Sequence, residues 1–306
     1  MNSEKTFVGI GFTLISIIWG STWLAIKIGL DSIPPFYGVA IRFTVALIIL
    51  YIIMRVRGDK LPVDRTSWKL FLMTGVFSFS FPFMFAYWGE QYISSGLASV
   101  LFAIYPLVVA TLSYFVLPDE QLNPYKSVGI ILGFLGVLII FWIDVQAGKG
   151  TILGMASIFV SSVFQGVSLV FVKKMGKHLN PFTLNFGGML VGIFIIYAMA
   201  LTFEDYTAIH LDAKGVGSIL YLGTFGTVVT FSIYYWLLKR VEAVFLSLVS
   251  LVTPVFAVIL GIIWLDESLS PRLFFGAGLV LIGILVTNGK EFVAMFRNHR
   301  DKLFSI

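Results

Sequence analysis

"GVFSFSFPFMFAYWGEQYISSGLASVLFAIYP" (residues 75–106) and "GTFGTVVTFSIYYWLLKRVEAVFLSLVSLVTP" (residues 223–254) align without a gap at an offset of 148. Gly75 meets Gly223, Phe77 meets Phe225, Phe83 meets Phe231, Tyr87 and Trp88 meet Tyr235 and Trp236, Ser99 meets Ser247, and Pro106 meets Pro254. Single Phe or Gly coincidences are cheap in so apolar a chain, but an ordered set of Trp, Tyr and Pro matches is not. Beyond this core "LPDEQLNP" (117–124) matches "LDESLSP" (265–271) after a one-residue shift, and Gly129 and Gly136 match Gly276 and Gly283. Toward the N-terminus an offset of 146 pairs Ser16, Gly20, Lys27, Pro35-Phe36 and Tyr51 with Ser162, Gly166, Lys173, Pro181-Phe182 and Tyr197. The chain therefore reads as two related halves.

The solvent of those halves follows from composition. Of 306 residues 58% are hydrophobic and 12% charged, and the mean hydropathy is +0.95, whereas soluble domains are about half apolar and about a quarter charged. Apolar runs of about 20 residues, enough to cross the hydrocarbon core, recur throughout. Gly, Pro and charged punctuation places helices near 7–28, 35–55, 68–88, 95–116, 124–142, 151–172, 181–201, 213–237, 242–264 and 271–289. The expected architecture is all-α and integral to a membrane: a first repeat over 7–142, a second over 151–289, and a basic tail over 290–306. Five helices per half is an odd number, so the halves enter the membrane in opposite directions. Met1 to Lys5 resembles a signal-peptide n-region, but the run that follows reaches about Ile28 and lacks a small-residue cleavage pattern, so it reads as a retained helix.

Charge sets the orientation. Lys5; Arg55, Arg57, Lys60, Arg65 and Lys69; Lys126; Lys173, Lys174 and Lys177; Lys239 and Arg240; and Lys290, Arg297, Arg300 and Lys302 fall on one face, sixteen of the 21 basic residues. The opposite face holds Lys27, Lys149, Lys214 and Arg272, and Arg42 lies within a helix. The positive-inside rule then puts both termini in the cytoplasm, in a multi-pass protein of the cytoplasmic (inner) membrane. The pI of 9.3 thus describes membrane topology and not a nucleic-acid-binding patch. Cysteine is absent, which excludes disulfides and thiolate sites.

"WGSTWLAIKIGL" (19–30), "PPFYGVAIRFTVAL" (34–47), a tyrosine-bearing third helix, a proline in the fourth, and a Glu-containing link to a Gly-rich fifth resemble the EamA family of the drug/metabolite transporter superfamily. The resemblance spans nearly the whole chain and both repeats. It implies ten helices, cytoplasmic termini and a central cavity lined mainly by helices 1, 3, 4, 6, 8 and 9. It is specific for fold and weak for substrate, since the family includes exporters of amino acids and of other metabolites.

Candidate solute contacts follow from position and chemistry. Trp19 and Trp23 are four residues apart and share a face, which meets either the cavity or neighbouring helices. At the matched position of helix 6, Gln165 is an amide deep in a span, able to bond a solute or another helix. Phe83 on helix 3, Phe231 and Tyr234 on helix 8, Tyr105 beside Pro106, and Ser250 near Pro254 complete an aromatic set suited to small, partly apolar solutes. Pro106 and Pro254 release the carbonyls of Phe102 and Ser250, marking either helix breaks at a midplane site or packing kinks. Arg42 can grip a substrate carboxylate bidentately, or bind helix-end carbonyls or snorkel. Glu90 and Glu242, at opposite helix ends, are the acids nearest the pathway, and each has an ordinary helix-end explanation. No carboxylate sits mid-span, so proton coupling is expected to be absent or confined to a residue such as Glu90.

Asn123-Pro124 and Ser270-Pro271 read as helix starts, with Glu120 and Glu267 near positive helix ends. The glycines at 129, 133, 276 and 283 suggest close packing within a subunit or between subunits, leaving monomer and homodimer open. No cofactor, metal or nucleic-acid partner is indicated: His178, His210 and His299 lie outside the spans, and no zinc- or phosphate-binding signature is present. The function expected is secondary transport, as an exporter of small metabolites such as amino acids, by alternating access of the inverted halves. A passive channel and, less well supported, a membrane-embedded enzyme are the alternatives. Single cysteines replacing Lys60 or Lys177 are expected to react with an impermeant maleimide only from the cytoplasmic side; labelling of either in intact cells would reverse the orientation.

Overall fold

The computed structural model describes residues 2–117, 124–143, 148–267 and 271–287. Glu120, Asn123, Ser270, His299 and the basic tail lie outside them, as do the side chains of Lys5, Lys126 and Arg272. The described residues form ten rods: α1 Asn2–Leu30, α2 Pro35–Arg57, α3 Arg65–Glu90 and α4 Ser95–Val116, α5 Pro124–Ile143, α6 Lys149–His178, α7 Pro181–Phe203, α8 Ala213–Leu238 and α9 Ala243–Leu265, and α10 Pro271–Thr287. Eight are long and apolar enough to cross a membrane; α5 and α10 are apolar helices of 20 and 17 residues. Alternating direction collects the links after α2, α6 and α8 on one face, here the basic face, and those after α1, α3, α7 and α9 on the other.

Local chemistry fixes the ends. Proline opens α2 and α7, where its fixed φ fits and its missing N–H removes no helical bond, and the Asn180 side chain accepts from Thr183 N at 2.8 Å. α2 stops at Gly58, whose φ of 72° few other residues tolerate. Glu204, just past α7, accepts from the amides of Phe36 and Tyr37 at 2.8 and 2.9 Å. Burial pushes its carboxyl above the ordinary range, and those two amides work in the other direction. Glu267, expected near the start of α10, instead serves α4, accepting from Ser95 N at 2.7 Å and Gly96 N at 3.1 Å. A carboxylate near one helix start answers the unpaired amides of another that packs beside it.

The packing repeats with inverted symmetry. A side chain at Gly75 would strike Val191 and the Gly188 carbonyl; one at the matched Gly223 would strike Val45 and the Arg42 carbonyl, the counterparts under the 146 offset. Lys27 donates to the carbonyls of Glu90 and Ile93, at 2.6 and 2.8 Å. Its counterpart Lys173 donates to those of Leu238 and Val241. Each first helix thus ties down the end of the third helix in its own half. The irregularities repeat too, because α3 widens into a π-turn at Gly75–Ser80 and α8 into another at Thr224–Val229.

The expected glycine contact lies within one chain. α5 and α10 cross so closely that a first side-chain carbon at Gly136 would sit 2.6 Å from Gly276 O, and one at Gly283 would sit 2.5 Å from Gly129 O. Backbone cannot yield at that distance, whereas Gly278 on the same helix has open space. Gly283→Leu should destabilise the protein by about 1–3 kcal/mol through overpacking and lower the thermal midpoint in detergent. Gly278→Leu should leave it unchanged or higher; equal effects at both positions would refute the α5–α10 crossing.

Candidate functional site

The "WGSTW" stretch of α1 separates its five residues by direction. Gly20 faces α9: a side chain there would lie 2.5 Å from Phe256 Cβ and 3.1 Å from Thr253 O. Ser21 bonds the Tyr221 hydroxyl of α8 at 2.5 Å, and Thr22 returns its hydroxyl to the Trp19 carbonyl at 2.7 Å. Trp19 sets its ring 5.4 Å from Phe231 and 5.0 Å from Tyr234, and Trp23 lies 5.6 Å from Phe102. The glycine admits α9, the hydroxyls are satisfied, and both indoles line a cavity.

That cavity measures about 90 Å³ and lies between the halves. Trp19, Trp23, Phe83, Tyr105, Gln165, Phe231, Tyr234 and Ser250 all line it, as does Arg42. Pro106, Pro254 and Glu90 do not. Sequence reasoning missed Ile26, Phe102, Ser161 and Leu246 among its walls, although each stands three or four residues from a residue already singled out, the spacing of a shared helical face. The volume is well below the roughly 300 Å³ at which drug-sized pockets begin, so this conformation accommodates only a small solute.

The two π-turns set the polar groups. A π-turn disturbs the regular ladder, and in α3 Pro82 has no N–H to give the Ser78 carbonyl four residues earlier. In α3 the Ser78 carbonyl accepts from Gln165 Nε2 at 3.1 Å; in α8 the carbonyl of Gly226, its counterpart, accepts from an Arg42 terminal nitrogen at 2.9 Å. Arg42 also donates from Nε to Thr227 at 2.8 Å and more weakly to the Tyr87 hydroxyl at 3.3 Å. Its guanidinium carbon lies 4.8 Å from the Phe83 ring centre. Arg42 is 1% exposed. The carbonyl it holds belongs to the middle of α8, not to a helix end, and it does not snorkel. Among the described residues the only ion pair is Arg57–Asp59, so the Arg42 charge has no carboxylate partner there.

The two matched prolines sit in unlike helices. α4 breaks at Ala103–Ile104, immediately before Tyr105 and Pro106. α9 instead has its irregularity at Leu248 and runs helically through Pro254. The carbonyl that Pro254 leaves free, on Ser250, accepts the Thr253 hydroxyl at 3.2 Å, which lets the helix continue. Two lining tyrosines, Tyr105 and Tyr234, meet hydroxyl to hydroxyl at 2.6 Å; outside the lining, Ser78 bonds Ser168 and, at 3.3 Å, Tyr235. The Lys27 bridge lies toward the non-basic face, next along the helices from Ile26 and one turn beyond Ala86, which line the cavity. A larger groove of about 860 Å³ lies beside α3, α6 and α7, behind a seam in which Ser157 and Ser161 donate to the carbonyls of Phe85 and Pro82, both at 2.7 Å.

A family model described as the EamA-like transporter family matches residues 7–142 and again 152–289. The chain belongs to this family. This EamA-like protein is 27% identical over 281 residues to "Uncharacterized transporter YoaV" of Bacillus subtilis, covering 91% of this chain and 96% of that protein. It is 32% identical over 277 residues to an "Uncharacterized transporter" of Archaeoglobus fulgidus, covering 89% and 95%. A solved crystal structure superposes with a TM-score of 0.70 at 21% identity, over 92% of this chain and 97% of the other, a likeness of fold alone. The ten-helix, two-repeat architecture is thus an EamA-like transporter fold, and transport is the activity its relatives are named for.

Proposed function

We propose that this transporter exports small metabolites carrying a carboxylate, such as amino acids, across the cytoplasmic membrane, by alternating access of its two inverted halves around the central cavity. The observation that carries this reading is Arg42. An ion held out of water incurs a desolvation penalty of several kcal/mol, which a counter-ion normally offsets. Three hydrogen bonds and the Phe83 face compensate part of that penalty, but they bring no negative charge. A guanidinium has five N–H groups in a planar fork, so it retains donors for a carboxylate entering the cavity. The indole and phenyl faces of Trp19, Phe83 and Phe231 then suit an apolar substituent, and Gln165 and Ser250 offer neutral hydrogen bonds. Inverted repeats support alternating access, because the two halves can exchange conformations about a fixed midplane site. Basic loops on one face support cytoplasmic termini.

The experiment is counterflow in proteoliposomes with a panel of amino acids and their carboxamides. Acids should exchange saturably and amides about tenfold to a hundredfold less well, the difference expected for about 1.5–3 kcal/mol of charged hydrogen bonding. Arg42→Gln should erase that discrimination while Arg42→Lys keeps part of it. Equal exchange of acid and amide by the unmodified protein would remove the carboxylate from the reading, and flux without counterflow would make the protein a passive channel.

Gln165→Leu and Tyr105→Ala should raise the half-saturating concentration in the protein that remains folded, each at some cost in stability because one strips the Ser78 carbonyl of its donor and the other leaves a cavity. Tyr105→Phe should have a smaller effect because it keeps the ring. Normal affinity in both of the first two variants would take Gln165 and Tyr105 out of the solute site.

A further inference from the structure

Glu90 has no role in the reading above. It ends α3 one turn beyond Ala86, which lines the cavity, and the spacing of four keeps the two on one side of the helix. It is completely buried, and neither carboxyl oxygen has a hydrogen-bond partner. Sequence position put it at a helix end close to the pathway, with an ordinary helix-end role as the alternative; the α3–α4 corner, packed under α1, removes it from solvent.

No charged or titratable group around it hydrogen-bonds its carboxyl, although the Lys27 ammonium lies near it. Lys27 of α1 gives its ammonium to the carbonyls of Glu90 and Ile93. Glu267 holds the first amides of α4. On α2, Arg42 holds Gly226, Thr227 and the Tyr87 hydroxyl, and the buried Tyr37 hydroxyl has no partner. α6 packs Gly154 and Ile158 against Gly89 and carries ionisable residues only at Lys149 and from Lys173 onward. α4 brings none before Tyr105.

A carboxylate sealed from water without a donor costs several kcal/mol, whereas the protonated acid forgoes only neutral hydrogen bonds. The closed site therefore fits –COOH. If this end opens, the Lys27 bridge breaks, and an ionised Glu90 gains both water and a freed ammonium. We propose that Glu90 is a proton-binding site that governs closure of the non-basic end of the cavity. The carboxylate takes up one proton from the aqueous phase on that side as the Lys27 bridge forms, and returns it when the bridge breaks. The inference rests on the transporter reading only in requiring that this end open and close.

The cysteine-free chain allows a test that needs no solute. Ala86→Cys is introduced into the natural sequence and into Glu90→Gln, reconstituted, and labelled with an impermeant maleimide from the non-basic face. Measurements run between about pH 5 and about pH 9, a range that brackets carboxyl titration in ordinary and buried sites. The ratio of labelling rates, natural sequence over Glu90→Gln, cancels the titration of the thiol itself. It should be near one in acid and climb with pH on that face by up to about tenfold per unit, the limit for a single proton. Glu90→Leu should behave as Glu90→Gln does. A flat ratio would overturn the proposal, and so would a rise that follows pH on the basic face alone. A rising ratio in a protein that exchanged none of the amino acids would support the proton site while overturning the substrate reading.

Discussion

A backbone carbonyl released from its helix inside hydrocarbon has no water to turn to, and an unsatisfied one costs several kcal/mol. The functional core of this protein is arranged around that constraint. Lys27 and Lys173 answer the carbonyls at the ends of α3 and α8. Gln165 and Arg42 answer those of the two π-turns. Thr253 answers the one freed by Pro254. Four of these five donors lie on helices other than the one they satisfy, so each bond also fixes the register between two rods. Among the described residues, the polar groups best placed to meet a solute are largely the ones that hold the frame together.

This double use makes an EamA-like cavity sensitive to its own walls. A solute that draws Gln165 or Arg42 away from its carbonyl reopens a gap in α3 or α8, and a solute that leaves those bonds intact meets only their remaining N–H or oxygen. Binding and helix conformation are therefore linked through shared hydrogen bonds, and a solute can shift the conformational balance only by its different affinity for the two arrangements.

The fold was legible because a repeat, apolar run length and alternating basic loops are all properties of one dimension. Proline at Pro35 and Pro181 marked helix starts to within a residue or so, and matched glycines pointed to close helix packing without saying which helices would meet. The cavity was partly legible because spacing of four puts Trp19 with Trp23, but only packing could turn that face inward. The partners of Arg42, the assignment of Glu267 to α4 and the burial of Glu90 depend on how far each rod is slid and turned against its neighbours. No periodicity encodes that. Which of the two readings of Pro254 applies was not legible, because the rule for a lost N–H takes no account of a hydroxyl one residue before the proline that can take its place.

The two-fold relation is broken at its centre. Trp19 in the first half stands where Gln165 stands in the second, and Arg42 where Gly188 stands. The same backbone demand, a carbonyl on each π-turn, is met by a neutral amide on one side and by a cation on the other. Were the halves identical, exchanging their conformations would yield two states of equal energy, and an empty protein would divide its time evenly between the two faces of the membrane. Unequal donors remove that degeneracy. Under the alternating access proposed above, a difference of only about 1.4 kcal/mol between the two caps would hold the empty molecule in one orientation about ten times as often as the other, and the chemistry of two side chains would set its resting side.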